Sequence, residues 1–242
     1  MGTSESGILF IVATPIGNLE DVSLRAIRVL GEVDVLACED TRHTRRLLDR
    51  HGIISPKALL SYHEHNESRA GKRIMDLLRR GRSVAVCSDS GIPGISDPGY
   101  RLVSACRERG IRVEVLPGAS AVATALVASG LPTSSYTFKG FAPRKPGPRK
   151  RFLETDRQLP HTLVFFESPY RLGKFLQDAL DVLGNRVAAV CIELTKKFES
   201  VQRGYLEELV ARFCDERVRG EVTVVIAGNH PKFRGKPAVP DT

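Results

Sequence analysis

Short apolar runs alternate with amphipathic stretches along the first half of the chain. Residues 8–13 are continuously apolar, which is typical of a strand buried on both faces of a parallel sheet. Further strands are predicted at 33–37, 58–61, 84–87 and 113–116, and helices after a cap at Asp21 and over 41–50, 67–80 and 100–109. This alternation predicts an α/β domain with largely parallel pairing.

A second α/β series follows the dipeptide Pro117-Gly118. Residues 120–128 are small and apolar, which favours a helix packed closely against a neighbour. Strands are predicted at 136–139, 162–166, 187–192 and 223–227, and helices at 149–159, 170–183 and 206–216. The sequence therefore predicts the α/β class with two domains, 1–117 and 118–230, and a flexible tail over 231–242.

One stretch, residues 139–151, interrupts the pattern. It reads K-G-F-A-P-R-K-P-G-P-R-K-R, with six basic residues, three prolines, two glycines and no acid. Proline and glycine predict a loop here. The loop is either simply solvated or a clamp for phosphates, with Phe141 available to stack on a base. The concentration of unpaired charge favours the clamp. Its basic members are Lys139, Arg144, Lys145, Arg149, Lys150 and Arg151.

The composition indicates a kind of binding partner and excludes several classes of protein. The 242 residues carry 36 Lys+Arg against 28 Asp+Glu, a net charge of +8, and 26 of the basic residues are arginine. Arginine's planar fork suits phosphate, so a nucleic-acid partner is indicated. No apolar run approaches the roughly 18 residues of a spanning helix. No secretory signal is visible, and five cysteines without a C-x-x-C pair favour a reducing cytoplasm over disulfides or zinc.

The chemistry falls on turns that follow predicted strands. The sequence has no phosphate loop, G-x-G-x-x-G, H-E-x-x-H or G-x-S-x-G motif. The glycine- and aspartate-rich segment 88–99 is instead the best binding loop, because ligands of open α/β sheets bind at the carboxyl ends of strands. The segments 39–44 and 193–196 also follow strands, although Asp40 or Thr41 has a plain alternative as a helix cap. The run 63–67 contains two histidines but no third convergent ligand, so no metal site is predicted.

Seven motifs in order resemble a known family. They are T-P-I-G-N-L at 14–19, E-D-T-R-H-T at 39–44, H-E-H-N-E at 63–67, S-D-x-G-x-P at 88–93, D-P-G at 97–99, P-G-x-x-A at 117–121 and E-L-T-K at 193–196. Together they resemble the bacterial 2′-O-ribose methyltransferases of small-subunit ribosomal RNA, within the tetrapyrrole methylase superfamily of class III S-adenosylmethionine methyltransferases. Ser90, Ile92, Gly94, Ser96, Ala119 and Tyr170 depart from the usual pattern.

The resemblance implies two α/β domains with S-adenosylmethionine in the cleft between them, and a homodimer. It implies methylation of a cytidine ribose 2′-hydroxyl in the decoding region of small-subunit rRNA. The implied cofactor contacts are Pro15, Ile16, Gly17, Asp89, Ser90, Ile92, Ala119, Ser120, Phe166, Leu194 and Val222. For Phe166 and Val222, ordinary strand core is a nearly equal alternative.

Candidate bases for the hydroxyl proton are Glu39, Asp40, Glu193, and Lys196 with a lowered pKa, and these are not ranked. Arg42 and His43 are candidates for gripping a phosphate, and Asn18 for orienting the nucleotide. Two other functions stay open: a methyltransferase acting on a corrinoid or porphyrin, and a non-catalytic RNA-binding assembly factor. The basic stretch argues against the first, and the intact motifs argue against the second.

Overall fold

The computed structural model describes residues 6–54 and 58–235. The chain divides into two compact units, Met1–Ser120 and Ala121–Thr242. The predicted domain boundaries themselves stay a prediction. Among the described residues, no helix combines the length and the apolar character that crossing a membrane would require.

The first unit is a parallel sheet between two pairs of helices. Its strands are β1 (Leu9–Val12), β2 (Val35–Cys38), β3 (Ala58–Ser61), β4 (Val84–Cys87) and β5 (Val113–Leu116), in the order β3-β2-β4-β1-β5. Its helices are α1 (Leu24–Glu32), α2 (Thr41–Arg50), α3 (Glu67–Arg79) and α4 (Tyr100–Glu108).

Alternate strand residues face the two helical layers. Leu9 and Ile11 belong to a core with α3 and α4, while Val12 and Leu36 belong to a core with α1 and α2. Burial on both faces explains the continuous apolar runs that the sequence shows. The predicted cap at Asp21 is wrong: Leu19–Asp21 is a short 3-10 helix, and the Ser23 side chain caps α1 by accepting from the Ala26 N–H at 3.1 Å.

The second unit contains a mixed sheet. Its strands are β6 (Tyr136–Phe141), β7 (Thr162–Glu167), β8 (Val187–Ile192), β9 (Ser200–Tyr205) and β10 (Val222–Ile226), in the order β6-β7-β10-β8-β9. Its helices are α5 (Ala121–Ala128), α6 (Pro146–Glu154), α7 (Leu172–Leu183) and α8 (Leu206–Phe213). Only β6 and β7 are parallel, and the other three neighbouring pairs are antiparallel.

Helices cover both faces of this second sheet. Helices α6, α7 and α8 share a core with Leu163, Phe165 and Val190. On the opposite face α5 contacts β10, and the Cys191 thiol lies 3.9 Å from the Ala125 carbonyl oxygen. The sequence prediction missed β9, whose residues S-V-Q-R-G-Y lack a clear apolar pattern.

The predicted flexible tail is described only in its first residues. Pro231–Phe233 forms one turn of 3-10 helix, and the Arg234 Nε donates to Asn229 Oδ1 at 3.1 Å. Residues 236–242 lie outside the described residues, as do residues 1–5 at the other end.

Candidate active site and basic surface

The turns after β1 to β5 lie at one edge of the first sheet. All five strands run parallel, so their carboxyl ends point the same way. This edge therefore collects all the site residues that the sequence predicts within the first unit. They are Pro15, Ile16, Gly17 and Asn18 after β1, Glu39, Asp40, Arg42 and His43 after β2, Asp89, Ser90 and Ile92 after β4, and Ala119 and Ser120 after β5.

Backbone hydrogen bonds join the turns after β1 and β4. The Thr14 N–H donates to the Gly91 carbonyl at 2.9 Å, and the Gly91 N–H donates to the Thr14 carbonyl at 3.1 Å. The Thr14 hydroxyl also donates to the Ser88 carbonyl at 3.1 Å. Gly91 has φ of +80°, which glycine adopts without strain. The glycine-rich segment is thus an ordered extension of the sheet edge.

Small residues bring the turn after β5 close to β1. A Cβ placed on Gly118 would lie 2.8 Å from the Cβ of Ala13, which is too close for any side chain. A Cβ on Gly91 would lie 3.8 Å from the Ala119 carbonyl oxygen and 3.6 Å from Ile16 Cγ2. Glycine at position 118 therefore allows the turn after β5 to approach β1 as closely as it does.

Asp40 has a structural role in this edge. Its carboxylate caps α2 by accepting from the Arg42 N–H at 2.8 Å, and it also binds the Arg42 guanidinium at 2.7 Å. These hydrogen bonds and the Arg42 charge hold the pKa of Asp40 well below its usual range. The Asp40 N–H donates to Asp89 Oδ1 at 3.0 Å, which ties the turns after β2 and β4 together. The cap that the sequence offered as the plain alternative is present.

Glu39 differs from its neighbour. It is half-buried, and among the described residues it makes no salt bridge. Burial raises its pKa, and the negative charge of Asp89 raises it further. A hydrogen bond from the Asp89 backbone and the proximity of His63 oppose this rise only in part. Within residues 6–54 and 58–235, Glu39 is therefore a half-buried carboxylate that no Lys or Arg side chain pairs with.

The turn after β3 completes the edge. Glu67 Oε1 accepts from the buried Tyr62 hydroxyl at 3.1 Å and from the Gly99 N–H at 3.2 Å. The Nδ1 atom of His63 is buried with no hydrogen-bond partner among the described residues. No group of three or more His, Cys, Asp or Glu side chains suited to a metal occurs within residues 6–54 and 58–235.

In the second unit the predicted site residues also lie at one edge of the sheet, but antiparallel pairing rather than parallel pairing places them there. Because β10 is antiparallel to β7 and β8, its start pairs with their ends: Val222 lies opposite both Glu167 and Ile192. Phe141 at the end of β6 lies opposite Phe166. The segments 141–145, 166–171 and 193–196 and the start of β10 therefore share this edge.

The three predicted cofactor contacts in this unit differ in environment. Phe166 is half-buried, with its ring centroid 4.9 Å from that of Phe138 and 5.6 Å from that of Phe141. Leu194 is buried between two residues with positive φ, Glu193 at 51° and Thr195 at 66°. Val222 lies in the core beneath the helices, so its side chain fits the strand-core alternative.

Glu193 and Lys196 form an ion pair. Lys196 Nζ lies 2.8 Å from Glu193 Oε1 and 3.1 Å from Glu221 Oε2. Burial disfavours the charged amine of Lys196, but the hydrogen bonds to both carboxylates outweigh burial and raise its pKa. The prediction of a lowered pKa for Lys196 is therefore wrong. Burial also opposes ionisation of Glu193, yet hydrogen bonds from Lys196 and the Glu221 N–H lower its pKa overall.

The predicted basic loop is largely regular structure. The strand β6 continues to Phe141, and α6 begins at Pro146, because proline fits the first turn of a helix, where its missing N–H costs nothing. The prediction of a loop over 139–151 is wrong.

The charges of this stretch are also not all unpaired. Lys139 binds Asp156 at 2.7 Å, Lys150 binds Asp181 at 2.7 Å, and the buried Arg149 binds Asp178 at 2.5 Å. The acids come from residues far along the chain, so a local count of charge could not find them. Arg144, Lys145 and Arg151 are exposed, and no salt bridge involves them in the described part of the chain.

The sequence prediction missed one ion pair at this edge. Arg171 lies 2.5 Å from the fully buried carboxylate of Glu167, whose Oε1 also accepts from the Ser168 N–H at 2.6 Å. Burial raises the pKa of Glu167, although Ser168 and Arg171 oppose the rise. The signal was present in the sequence, since an acid and a base stand four residues apart at the end of a strand.

The parallel sheet with its glycine-rich turns and the second mixed sheet define a class of two-unit α/β methyltransferases. The sequence profile of the Tetrapyrrole (Corrin/Porphyrin) Methylases matches residues 9–210, and the chain belongs to this family. The family uses S-adenosylmethionine as its methyl donor, and this is the cofactor of the chain.

Similar curated proteins carry one name. The chain is 50% identical over 228 residues to "Ribosomal RNA small subunit methyltransferase I" of Halalkalibacterium halodurans, covering 94% of this chain and 78% of the relative. It is 44% identical over 222 residues to the protein of that name from Thermotoga maritima, covering 92% and 99%. The resemblance found in the motifs is confirmed.

Solved structures share the fold at lower identity. Uroporphyrin-III-C-methyltransferase of Thermus thermophilus superposes with a TM-score of 0.62 at 24% identity, covering 90% of this chain and 94% of that one. A diphthine synthase superposes with a TM-score of 0.70 at 15% identity, covering 91% and 90%. The predicted fold class is confirmed.

Proposed function

We propose that the protein transfers a methyl group from S-adenosylmethionine to the 2′-hydroxyl of a cytidine ribose in the decoding region of small-subunit ribosomal RNA. The observation that carries the rRNA substrate is the 42–50% identity, over most of the chain, to relatives named for methylation of small-subunit ribosomal RNA. The ribose position and the cytidine rest on the motif resemblance. A homodimer and a cytoplasmic location belong to the same proposal.

The edge of the first sheet fits the cofactor. Gly118 lets the turn after β5 lie close to β1, and backbone hydrogen bonds between Thr14 and Gly91 order the turns beside it. Pro15, Ile16, Gly17, Asp89, Ser90, Ile92, Ala119 and Ser120 would hold the cofactor there. Phe166 and Leu194 of the second unit are the further contacts proposed, and their arrangement between the units stays a prediction. When bound, the cofactor supplies a sulfonium methyl group that an attacking oxygen can accept.

Glu39 is the best candidate for the base. Its raised pKa and lack of a cation make it a better proton acceptor than an ordinary surface glutamate. Asp40 is engaged by Arg42 and by the cap of α2, and Glu193 and Lys196 neutralise each other. The Glu39 carboxylate would take the proton of the ribose 2′-hydroxyl, while the sulfur of the cofactor would keep the electron pair of its bond to the methyl group and leave as S-adenosylhomocysteine.

The RNA contacts divide between the units. In the first unit, Arg42 and His43 are exposed near Glu39 and suit a flanking phosphate, and Asn18 suits the nucleotide. In the second unit, the proposed contacts are the exposed side chains of Phe141, Arg144, Lys145 and Arg151. Lys150 is half-buried and stays in the proposed set as a weaker contact. Lys139 and Arg149 form salt bridges with Asp156 and Asp178, so we no longer propose them as RNA contacts.

The decisive experiment is methyl transfer with labelled S-adenosylmethionine to small subunits from cells that lack this modification, followed by nucleoside mapping. The expected product is 2′-O-methylcytidine at one position. A methyl group on a base would contradict the proposed chemistry. Transfer to a tetrapyrrole but not to the subunit would contradict the substrate, and failure to bind the cofactor in calorimetry would favour a non-catalytic RNA-binding protein.

A further inference from the structure

Two arginines hold the segment Ala142–Lys145, which joins β6 to α6 and carries the exposed basic residues Arg144 and Lys145. Arg149 Nη1 donates to the Arg144 carbonyl at 3.2 Å, and Arg171 Nη1 donates to the Ala142 carbonyl at 3.4 Å. Both donors therefore bind the backbone of the segment rather than its side chains, so they fix its course without using its charge.

Each of these arginines is itself anchored by a buried acid. The side chain of Arg149 is 3% exposed, and its Nε and Nη2 lie 2.7 Å and 2.5 Å from Asp178 Oδ2 on α7. Arg171 is 22% exposed, and its Nη2 lies 2.5 Å from Oε1 of the fully buried Glu167 at the end of β7. A planar guanidinium can donate hydrogen bonds to a carboxylate and to a backbone carbonyl in fixed directions at the same time, whereas the amine of lysine lacks this fixed geometry.

The contacts divide the basic residues of this stretch into two kinds. Arg149 is enclosed and neutralised by Asp178, whereas Arg144 and Lys145 are exposed, with no salt bridge among the described residues. A flexible loop would have to be ordered when phosphates bind, at a cost in affinity. The hydrogen bonds from Arg149 and Arg171 order this segment when the protein folds, so the entropy of ordering it is not lost again when RNA binds.

We propose that Arg149 and Arg171 are positioning residues that pre-organise the segment Ala142–Lys145 for the phosphate backbone of RNA. The proposal rests on the proposed function for its ligand, but the rigidity of the segment is independent of that function. Arg144 and Lys145 supply the charge, and Arg149 and Arg171 supply the geometry.

The test separates geometry from charge by replacing each positioning arginine with lysine. Arg149→Lys and Arg171→Lys keep the net charge, so the slope of log affinity against log salt should not change. Affinity for small-subunit rRNA should fall about tenfold, since the segment must now be ordered on binding. In the absence of RNA, trypsin should cleave after Arg144 faster than in the parent protein, whereas the Lys145–Pro146 bond resists trypsin in every variant. Arg157→Lys is the matched control, an exposed arginine paired with Glu154 beyond the end of α6.

Three readouts distinguish the outcomes. If either lysine variant folds, binds S-adenosylmethionine normally, and keeps the parent's RNA affinity and trypsin resistance, the positioning role is overturned. Should Arg149→Lys fail to fold, Arg171→Lys decides, because it acts on the other end of the segment.

If Arg144→Ala with Lys145→Ala changes neither affinity nor salt slope while the lysine variants still lose trypsin resistance, the segment is rigid but does not bind RNA. In that case the proposal and this part of the proposed function are both rejected, while the methyl-transfer assay still tests the reaction itself.

Discussion

Two glutamates, Glu39 at the edge of the first sheet and Glu193 at the edge of the second, are held in opposite ways. At the edge of the first unit, Glu39 is half-buried beside Asp89, and no salt bridge to it occurs among the described residues. At the edge of the second unit, Lys196 Nζ lies 2.8 Å from Glu193 Oε1. A buried carboxylate with a cation beside it is stabilised as an anion, whereas one without a cation holds a proton more readily.

This difference indicates which acids do chemistry. A proton acceptor must exchange its proton near the working pH, and the hydrogen bonds to Glu193 move the pKa of that carboxyl away from this range. The paired acids of the second unit instead fix the backbone around them. Proton transfer is proposed for Glu39 at the first edge and phosphate binding for Arg144 and Lys145 at the second, and each substitution below tests part of that proposal.

The largest effect is expected from Glu39→Gln. Removing the base should lower methyl transfer to small subunits by about 100-fold or more, since general bases contribute at least this much. The affinity for S-adenosylmethionine, measured by calorimetry, should stay close to the parent's. Parent turnover should rise with pH through a range above the ordinary glutamate pKa of 4.5, because the Glu39 pKa is raised.

Stability should separate this variant from its control, Glu193→Gln. Folding raises the pKa of Glu39, so its contribution to stability is full at low pH and is lost as pH rises. Glu39→Gln should therefore not lower the melting temperature at neutral pH. Folding lowers the pKa of Glu193, whose contribution is present at neutral pH and is lost on acidification. Glu193→Gln should melt earlier at neutral pH yet keep turnover of the parent's order; the reverse pattern would refute the comparison.

The next effect is expected from Gly118→Ala. The added methyl would lie 2.8 Å from the Ala13 Cβ, so the turn after β5 must move away from β1. Overpacking of this kind costs about 1–3 kcal/mol, and cofactor affinity should weaken by about tenfold or more. Calorimetric titration with S-adenosylmethionine measures the change. Unaltered affinity in a folded variant would show that this turn takes no part in binding the cofactor.

A smaller effect is expected from Arg144→Ala combined with Lys145→Ala. Each lost phosphate contact should reduce the slope of log affinity against log salt by about 0.7–0.9. Filter binding of small-subunit rRNA over a range of salt concentrations measures the slope. Cofactor affinity should not change, and Lys174→Ala, an exposed lysine on α7, serves as the control for a charge away from the segment. An equal loss of slope in the control would show that the charge acts only diffusely.

The smallest effect is expected from Gly71→Ala in α3. A Cβ at this position meets no atom within 4 Å. Alanine in place of an interior helical glycine should stabilise the fold by about 0.5–1 kcal/mol, which raises the melting temperature of a domain of this size by about 1–4 °C. Turnover should be unaffected. Set beside Gly118→Ala, this variant distinguishes glycines that shape the edge from one that does not.

The first unit could be predicted closely from its sequence. Thr41–Arg50, Ala58–Ser61, Val84–Cys87 and Val113–Leu116 have the predicted bounds. Parallel pairing then places the turns that carry Glu39 and Asp89 at one edge, although the sheet order that makes β2 and β4 neighbours could not be read from the sequence. What the sequence could not supply was the ranking of the bases, because burial and partners decide each pKa.

The second unit could be predicted less well, for two physical reasons. Antiparallel pairing of β10 brings the start of one strand to the ends of two others, and strand periodicity carries no information on direction. Charge neutralisation is also remote in sequence, as Arg149 and Asp178 show. The local count of positive charge was correct, and the inference that all of it is unpaired was wrong.

The position of β10 also matters while the chain is being synthesised. The last strand in sequence is the central strand of its sheet, between β7 and β8. The first sheet is complete once Leu116 has left the ribosome, and domains generally fold as units during synthesis. The second sheet cannot form completely until Ile226 has emerged from the ribosome. Until then β7 and β8 each expose an edge whose backbone N–H and C=O groups are unpaired. Slow translation or truncation near residue 220 should therefore yield a nascent chain with one folded unit and one prone to aggregate.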